Sequence, residues 1–324
     1  MSQKTIQVKH LSKVYGSTKA IEDIHFSVEA GEIIGFLGPN GAGKTTTMRI
    51  LAGYLPATAG TAKIAGYDVH RQSMQVRRRI GYLPEAPPLY PDMTVKSYLF
   101  FVAKIKGIPR GERRRQVSNA MARCQLLDRQ DTVIRKLSKG YRQRVGIAQA
   151  IVHEPPVIIL DEPTVGLDPR QIIEVRNLIK SLAGDHTIIL STHILPEASM
   201  ICDRVTIINR GRVVTTNTPS NLQAQLESSS GYELEIGGDA KKVLSLISKI
   251  PGVVRVNVAE HSSIKHPDHH LLKVSCAKNN EPGKDIAAMI VNQELELHEM
   301  RRTRPSLEDV FLELTTEESL LVDA

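Results

Sequence analysis

Short hydrophobic runs, separated by glycines and charged residues, dominate the first part of the chain. Residues 5–36 contain three of them, TIQVKH, IHFSV and EIIGFL. The first two alternate apolar and polar side chains, which predicts antiparallel strands with one face in water. The third run is almost entirely apolar, as in a strand that is buried on both faces. A glycine-rich segment then leads into TTTMRILAGYL, whose apolar spacing is helical.

A helical pattern replaces the strand pattern between about residues 92 and 153. The segment TVKSYLFFVAKIKGI repeats its apolar residues every three or four positions. The next segment, PRGERRRQVSNAMARCQLL, is basic and amphipathic. This part of the chain therefore predicts an α-helical subdomain.

Strand-like runs return after the helical region. PVIILDEP and DHTIILSTH each place four apolar residues between turns or charges. The segment RVTIINRGRVV predicts a hairpin that turns at Asn209-Arg210-Gly211.

A small, polar stretch at 226–232, LESSSGY, indicates a domain boundary. Beyond it, strand-like and helical runs follow the order βαββαβ, which is the split βαβ or ferredoxin-like pattern. A capping box of Ser306 and Asp309 predicts a last helix. The predicted segments are a first domain at 1–226, an accessory domain at 231–316 and a tail at 317–324.

The glycine-rich segment between the buried strand and the following helical run matches the pattern G-x-x-x-x-G-K-[ST]. Glycines let backbone N–H groups turn inward around phosphate oxygens, and a helix N-terminus directs positive partial charge at the same anion. Lys44 adds a full charge for the β and γ phosphates, and the Thr45 hydroxyl is suited to coordinate Mg²⁺. The segment predicts a nucleoside triphosphate site that contains Gly38, Pro39, Asn40, Gly41, Ala42, Gly43, Lys44, Thr45 and Thr46.

Two acids and a histidine are candidates to complete this site. A buried strand that ends at Asp161 would deliver this carboxylate beside the Mg²⁺ shell. Glu162 is placed to polarise an attacking water as general base, and adjacent strand residues face opposite ways, so the two acids have two roles. His193 ends the next apolar run, where its imidazole is expected to contact the γ-phosphate.

The glycine-rich segment, residues 38–46, is called the phosphate cradle below. The segment LSKGYRQR, residues 137–144, lies between this cradle and the strand that ends at Asp161. It resembles the signature motif of ATP-binding cassette (ABC) ATPases, usually L-S-G-G-Q. The resemblance continues through DEPTVGLDP, which contains the D-loop, and STH, which contains the switch histidine, and it runs from about residue 5 to 220. It implies an α/β P-loop NTPase domain of ABC type, with a mixed sheet core, an antiparallel β subdomain and the helical subdomain, followed by an α+β ferredoxin-like domain.

In the ABC family, the signature of one subunit closes over ATP held by another subunit in a head-to-tail dimer. The resemblance therefore implies ATP and Mg²⁺ as cofactors and a homodimer, or a pair of cassettes, on ATP binding. Ser138 precedes a helical run, so its hydroxyl, the Gly140 N–H and the helix dipole can hold a phosphate. Asp168 of the D-loop and Tyr15, which matches the aromatic that stacks on adenine, are carried over as nucleotide-binding residues.

Three positions depart from the family pattern. Lys139 replaces the second glycine-like position of the signature, and Tyr141 replaces its glutamine. Glu85 stands at the Q-loop glutamine. A carboxylate there can coordinate Mg²⁺, but it also adds negative charge beside a triphosphate. We expect Glu85 to bind nucleotide and metal in some conformations only.

The phrases GYLPEAPPLYPDMTVKSYL and SLEDVFLELT are similar to those of ATPase subunits of ABC-2-type exporters, which include drug, polysaccharide and gliding-related systems. The resemblance implies a partner, a separate ABC-2-type transmembrane permease, and a peripheral location on the cytoplasmic face of the inner membrane. Residues 80–105 would then line a groove for the permease. Tyr90, Phe100 and Phe101 belong either to this groove or to the core, and the core is favoured for the two Phe.

A soluble cassette ATPase that acts on ribosomes or nucleic acid is the alternative. The basic segments RRRI and RGERRR favour it. However, they carry no interleaved aromatic residues and the chain has no Trp, so base stacking and a nucleic-acid partner are not expected. Solvated basic faces or nearby anionic lipid explain these segments equally well.

Length, composition and net charge exclude few functional classes of protein. The 324 residues suggest about two domains, and a net charge of +7 fits nucleotides, nucleic acid or an anionic membrane. No stretch approaches the ~18 to 20 apolar residues that span a bilayer, and three separated cysteines fit a reducing cytosol. The cluster HPDHH, residues 266–270, is expected in a loop between two strands and invites a metal interpretation, although no matching Cys or acidic ligands lie near it in sequence.

Overall fold

A computed structural model describes residues 4–226, 231–238, 240–258, 269–277, 280–293 and 295–303. The chain divides into two compact units, Met1–Pro219 and Ser220–Ala324. The division falls ahead of the stretch 226–232 that the sequence indicates as a boundary.

The first unit alternates strands and helices. Its elements are β1 (Lys4–Tyr15), β2 (Thr18–Glu29), β3 (Ile33–Leu37), α1 (Lys44–Leu51), β4 (Ala59–Ile64), β5 (Tyr67–Asp68), α2 (Ser73–Arg79), β6 (Ile80–Leu83), α3 (Val95–Ile105), α4 (Arg110–Arg123), α5 (Lys139–Ile151), β7 (Val157–Asp161), α6 (Pro169–Ser181), β8 (Thr187–Thr192), α7 (Leu195–Ile201), β9 (Arg204–Asn209) and β10 (Arg212–Asn217). A further helix, α8 (Pro219–Leu226), follows them.

Two sheets form the framework of this unit. The antiparallel sheet has the order β2-β1-β4-β5, and the pairing of β1 with β2 confirms the antiparallel strands predicted from alternation. The larger sheet has the order β10-β9-β3-β8-β7-β6, with parallel pairing from β9 to β6 and β10 antiparallel at one edge. All residues of β3 and β7 are buried, as expected for central strands of a parallel sheet. The carboxyl ends of these parallel strands meet at one edge, where the functional side chains lie.

The helical region predicted at about 92–153 contains α3, α4 and α5 with short 3-10 turns between them. The Thr94 side chain caps α3 by accepting a hydrogen bond from the Ser97 N–H. The predicted hairpin is also present: β9 and β10 are joined at Arg210 and Gly211, which both have positive φ, of 44° and 81°. Turns of this kind match the twist of the flanking strands.

The second unit contains a four-stranded antiparallel sheet and two helices. Its elements are β11 (Gly231–Gly237), α9 (Ala240–Ile247), β12 (Val253–Val258), β13 (His269–Cys276), α10 (Gly283–Asn292) and β14 (Glu296–Thr303). The sheet order β12-β13-β11-β14 is compatible with the predicted ferredoxin-like pattern. Its core consists of the inward side chains of the strands and the two helices, including Leu234, Ile236, Leu272 and Ile286. The helix predicted from Ser306 lies outside the described residues.

Among the described helices, none is long and apolar enough to cross a membrane.

Candidate functional site

The phosphate cradle is the loop between β3 and α1. Gly41 and Gly43 have positive φ, of 81° and 104°, which side chains rarely adopt. Space is also limited, because a Cβ at Gly38 would lie 2.3 Å from the carbonyl oxygen of Ile208. The loop therefore requires glycine for both conformation and packing, and α1 begins at Lys44 directly after it.

Lys44 lies inside the cradle and is only 6% exposed. Its Nζ donates to the carbonyl oxygens of Gly38 at 2.7 Å and Pro39 at 3.2 Å. It also lies 3.4 Å from Oε1 of Glu162. The ammonium group thus connects the cradle to the acid at the end of β7.

Asp161 and Thr45, the predicted Mg²⁺ ligands, are in direct contact. The Thr45 hydroxyl donates to Asp161 Oδ1 at 3.2 Å, and Ser191 donates to the same oxygen at 2.6 Å. Asp161 Oδ2 is buried and has no hydrogen-bond partner among the described residues. Burial raises the pKa of the Asp161 carboxyl, and the carboxylates of Glu162 and Glu85 raise it further, against the lowering effect of the two hydroxyl donors. An unpaired buried carboxylate oxygen beside a hydroxyl suits the hard-oxygen chemistry of Mg²⁺, so these residues fit the metal.

Glu162 and His193 are in direct contact. His193 Nδ1 lies 2.9 Å from Glu162 Oε2, and the Glu162 backbone N–H donates to Ser191 Oγ at 2.9 Å. Glu162 has a positive φ of 49°, which is uncommon for a residue other than glycine and which directs the chain sharply out of β7. His193 is 42% exposed while Glu162 is buried, so the pair presents one buried acid and one accessible imidazole.

A cavity of about 400 Å³ opens between these groups. Of the predicted site residues, it brings together the cradle, Glu85, Glu162 and His193. The lining consists of Ala20, Asn40, Gly41, Gly43, Lys44, Thr45, Thr46, Glu85, Glu162, Val165 and His193. Gly38, Pro39, Ala42 and Asp161 are not among the residues that line the cavity. Glu85 reaches the cavity from the loop after β6, and the sequence alone could not show that approach.

Four further predicted nucleotide-binding residues do not line this cavity. Tyr15 ends β1 with 48% of its side chain exposed, and Lys13 Nζ lies 5.0 Å from its ring centroid. Asp168 caps α6 by accepting a hydrogen bond from the Gln171 N–H at 3.0 Å. Ser138 and Gly140 lie at the start of α5.

Ser138 has the position that the signature motif predicts, at the N-terminus of a helix. Its hydroxyl accepts a hydrogen bond from the Tyr141 N–H at 3.4 Å. Gly140 is buried, and a Cβ there would lie 2.4 Å from Oε1 of Gln171. Within one chain, the signature and the cradle therefore line different surfaces.

Three residues that contribute to this site were not predicted from the sequence. Ser191 holds both Asp161 and the backbone of Glu162. Its position two residues before His193, at the end of a buried strand, could have identified it. Ala20 and Val165 line the cavity, and nothing in their residue type indicates this role.

Two other expectations need correction. His269 and His270 of the HPDHH cluster are residues of β13, not of a loop, while residues 266–268 lie outside the described part of the chain. His269 Nδ1 lies 2.8 Å from Glu235 Oε1, and the described residues contain no group of three ligands that could hold a metal. Phe100 and Phe101 are only partly buried. Tyr90 is 50% exposed, and its ring centroid lies 5.2 Å from that of Phe101.

The chain is similar to known transport ATPases. A family model described as ABC transporter matches residues 21–165. The chain is 33% identical to the bacitracin transport ATP-binding protein BcrA of Bacillus licheniformis, over 95% of this chain and 96% of that protein. It is 31% identical to the daunorubicin resistance ATP-binding protein DrrA3 of Streptomyces coeruleorubidus, over the full length of both.

A solved structure supports the same relationship. The cbiO1 protein of Clostridium perfringens, part of the ABC transporter complex cbiONQ, is 31% identical and superposes with a TM-score of 0.64. The match covers 68% of this chain and 91% of that protein. The length of the matched region corresponds to that of the first unit, Met1–Pro219.

Proposed function

This chain belongs to the ATP-binding, ATP-hydrolysing subunits of ABC transporters, and on that premise we propose that it drives an ABC-2-type exporter as a dimer. The full-length similarity to resistance and transport ATP-binding proteins supports export. The identity of the exported molecule depends on the membrane partner. The accessory domain, 231–316, regulates or stabilises the dimer.

The cradle binds the triphosphate of ATP. Lys44 leaves its carbonyl contacts on the loop and pairs with the β and γ phosphates, which are stronger acceptors because they are charged. Thr45 and Asp161 would hold Mg²⁺, with Glu85 as an additional oxygen ligand. When bound, the metal would supply positive charge that stabilises the transferring phosphoryl group.

Hydrolysis uses the buried pair at the end of β7. Glu162 accepts a proton from the attacking water, and His193 contacts the γ-phosphate with its exposed edge. The contact of His193 Nδ1 with Glu162 supports this division, because it orients the imidazole and leaves Nε2 directed away from the acid. Ser191 fixes the backbone of Glu162 because its Oγ accepts the Glu162 N–H.

The proposed dimer is supported by the separation of the signature motif from the phosphate cradle within one chain. Ser138 and Gly140 occupy a helix N-terminus suited to a phosphate, yet they do not line the cavity of their own chain. A second chain, arranged head to tail, brings its Ser138 to the γ-phosphate and completes the site. ATP closes this dimer, and hydrolysis reopens it.

The Glu162→Gln variant tests this assignment. With ATP and Mg²⁺, the purified full chain is expected to form a stable dimer in size-exclusion chromatography with light scattering. Lys44→Ala is the control, since it removes the phosphate cation and is expected to remain monomeric and bind no ATP. A strictly monomeric, fully active Glu162→Gln variant would contradict both the general base and the two-chain site.

A groove of about 760 Å³ on the first unit is suited to the permease. Three of its side chains are large, apolar and mostly exposed: Tyr54 at 70%, Met74 at 59% and Ile105 at 66%. Arg77 and Arg78 add positive charge beside them. Exposed apolar groups rimmed by charge are typical of protein contact surfaces. The permease docks here and holds the chain at the cytoplasmic face of the inner membrane.

Co-purification distinguishes a permease partner from the alternative partners, ribosomes or nucleic acid. The tagged chain is expected to retain a membrane protein encoded beside it after detergent extraction. Ile105→Glu should release that protein without loss of ATP binding, whereas Val254→Glu, an exposed apolar position in the second unit, should not. Recovery of ribosomes or nucleic acid in place of a membrane protein would support the soluble alternative.

A further inference from the structure

Two basic segments of the sequence, RRRI at 77–80 and RGERRR at 110–115, do not line the nucleotide cavity. The structure brings the surroundings of both segments to one corner of the first unit. Lys106, the residue after α3, donates from Nζ to the carbonyl oxygens of Arg77 at 3.1 Å and Ile80 at 3.0 Å. These two hydrogen bonds join the end of α3 to the end of α2.

The loop from α3 to α4 connects this corner to the second basic segment. Gly107 of the loop lines the groove of about 760 Å³ that is proposed for the permease, together with Arg77 and Arg78 of α2. The next residue of the loop, Ile108, accepts a hydrogen bond from Arg113 Nε of α4 at 2.7 Å. The start of α4 is therefore attached to the rim of the groove.

The basic side chains at this corner fall into two groups. One group is used within the fold, because each side chain donates to a backbone carbonyl oxygen: Arg77, Arg79, Lys106 and Arg113. The other group is exposed, and its side chains make no hydrogen bond, ion pair or ring contact with the residues that the structure describes: Arg78, Lys104, Arg110, Arg114 and Arg115. We call this second group the basic rim.

Stability of the folded chain does not account for the basic rim. Arg110 and Arg114 lie one turn apart on α4, where like charges repel each other. Arg110 is also the first residue of that helix, where the positive partial charge of the helix N-terminus is unfavourable for a cation. Residues 104–115 contain six Lys and Arg but a single acid, Glu112. An anionic partner outside the chain would offset this repulsion.

The position of the basic rim indicates which anion this partner carries. The rim borders the groove that is proposed for the permease, and lipid headgroups surround a permease where it leaves the bilayer. Anionic lipid of a cytoplasmic leaflet attracts clusters of Lys and Arg in such a position. Proteins that bind single-stranded nucleic acid combine basic grooves with aromatic side chains, and neither 77–80 nor 104–115 contains an aromatic residue. Anionic lipid is therefore the better match.

We propose that the basic rim binds the headgroups of anionic phospholipid beside the permease, which gives the chain a second contact with the membrane. The binding is electrostatic, so it weakens as salt screens the charges. Its place beside the permease rests on the proposed function, whereas lipid binding by the rim does not.

Flotation with vesicles tests this proposal on the purified full chain. Vesicles of equal parts phosphatidylglycerol and phosphatidylcholine should bind the chain, and vesicles of phosphatidylcholine alone should not. Replacement of all five rim residues by Gln is expected to weaken binding about a hundredfold or more, because each charge near an anionic surface contributes roughly fivefold. The smaller Arg110→Gln/Arg114→Gln variant should bind roughly 25-fold more weakly, and it provides a second measurement if the larger variant does not fold.

A matched control removes the same amount of charge elsewhere on the first unit. It replaces by Gln five exposed lysines that do not line the groove: Lys9, Lys63, Lys96, Lys136 and Lys180. The control variant should bind the anionic vesicles like the parent. ATP affinity should be the same in the parent, rim and control proteins, because none of the replaced residues lines the nucleotide cavity.

Three results would overturn the proposal. An equal loss of vesicle binding in the rim and control variants would show that net charge alone explains the binding. Failure of the parent to bind the anionic vesicles would exclude a lipid contact. A rim variant that binds vesicles like the parent but no longer binds a single-stranded oligonucleotide that the parent retains would assign the rim to nucleic acid. The vesicles contain no permease, so failure of the co-purification experiment would leave these results unaffected.

Discussion

Ser191 Oγ lies 2.6 Å from Asp161 Oδ1 and also accepts the backbone N–H of Glu162 at 2.9 Å. One hydroxyl on β8 therefore fixes both acids at the end of β7. Asp161 Oδ1 is satisfied by this contact and by Thr45, and Oδ2 is left free within a buried setting. The serine thereby decides which carboxylate oxygen is available to a metal.

Removal of that hydroxyl should impair catalysis more than nucleotide binding. We expect Ser191→Ala to lower kcat roughly tenfold or more, because each buried hydrogen bond to a charged group contributes ~1.5 to 3 kcal/mol. Steady-state ATPase assays and nucleotide titration would separate kcat from affinity. Ser199→Ala, which removes only a hydroxyl bonded within α7, should behave like the parent. Equal activity of the two variants would contradict this role of Ser191.

His193 should be required for turnover but not for ATP binding. The loss of a positioned imidazole is expected to lower kcat about a hundredfold or more, as for other groups that act on the transferring atoms. ATP affinity should change little, since Lys44 and the backbone of the cradle remain. His25→Ala is a suitable control because His25 is exposed on β2 and does not line the cavity. A comparable loss of ATP affinity in His193→Ala would argue for a structural role.

Asp161→Asn should stabilise the nucleotide-free protein while it abolishes hydrolysis. Burial raises the pKa of Asp161, so the folded state holds this proton more tightly than the unfolded state does. The stability that the protonated Asp161 contributes is therefore lost as the pH rises above its unfolded-state pKa of ~3.9. The asparagine amide does not ionise, so the Asp161→Asn variant does not lose this stability.

Thermal unfolding in EDTA measures this difference. The gain in Tm of Asp161→Asn should be larger at about pH 8 than at about pH 4.5. Asp128→Asn, at an exposed acid, is the control. A parent protein more stable than Asp161→Asn at the higher pH would contradict the sign of the effect.

The buried hydrogen bond of Thr164 with Glu197 should stabilise the first unit. Thr164 Oγ1 donates to Glu197 Oε2 at 2.6 Å, and both side chains are at least nine-tenths buried. Thr164→Val is expected to cost roughly 1 to 3 kcal/mol of unfolding free energy, because it leaves a buried carboxyl without its donor. Urea unfolding would measure the loss, and Thr164→Ser, which keeps the hydroxyl, should recover most of it. No difference between the Val and Ser variants would show that the bond contributes nothing.

The motifs with strict local requirements were visible in the sequence. The cradle depends on glycines at fixed spacing followed by Lys44 and Thr45, and the structure has the loop and helix that this spacing predicts. The buried strands before Asp161 and His193 also follow from short apolar runs. Such features depend on backbone geometry over a few residues, and periodicity reports that geometry directly.

The sequence was less informative wherever a contact joins distant segments. The HPDHH cluster was expected in a loop, yet His269 and His270 lie in β13 because strand pairing extends the element beyond its apolar run. The partial burial of Phe100 and Phe101 depends on how α3 packs, which the apolar pattern of one helix does not specify.

By itself, then, the sequence determined the phosphate cradle, the acids, the signature and their family. Only the tertiary structure decided that Ser191 holds both acids, that Asp161 keeps one buried oxygen free, and that Glu85 lines the same cavity as Lys44 and Glu162. The physical reason is the order of the parallel strands. It brings the carboxyl ends of β3, β7 and β8 to one edge of the sheet, and that order is a property of long-range pairing rather than of any local pattern.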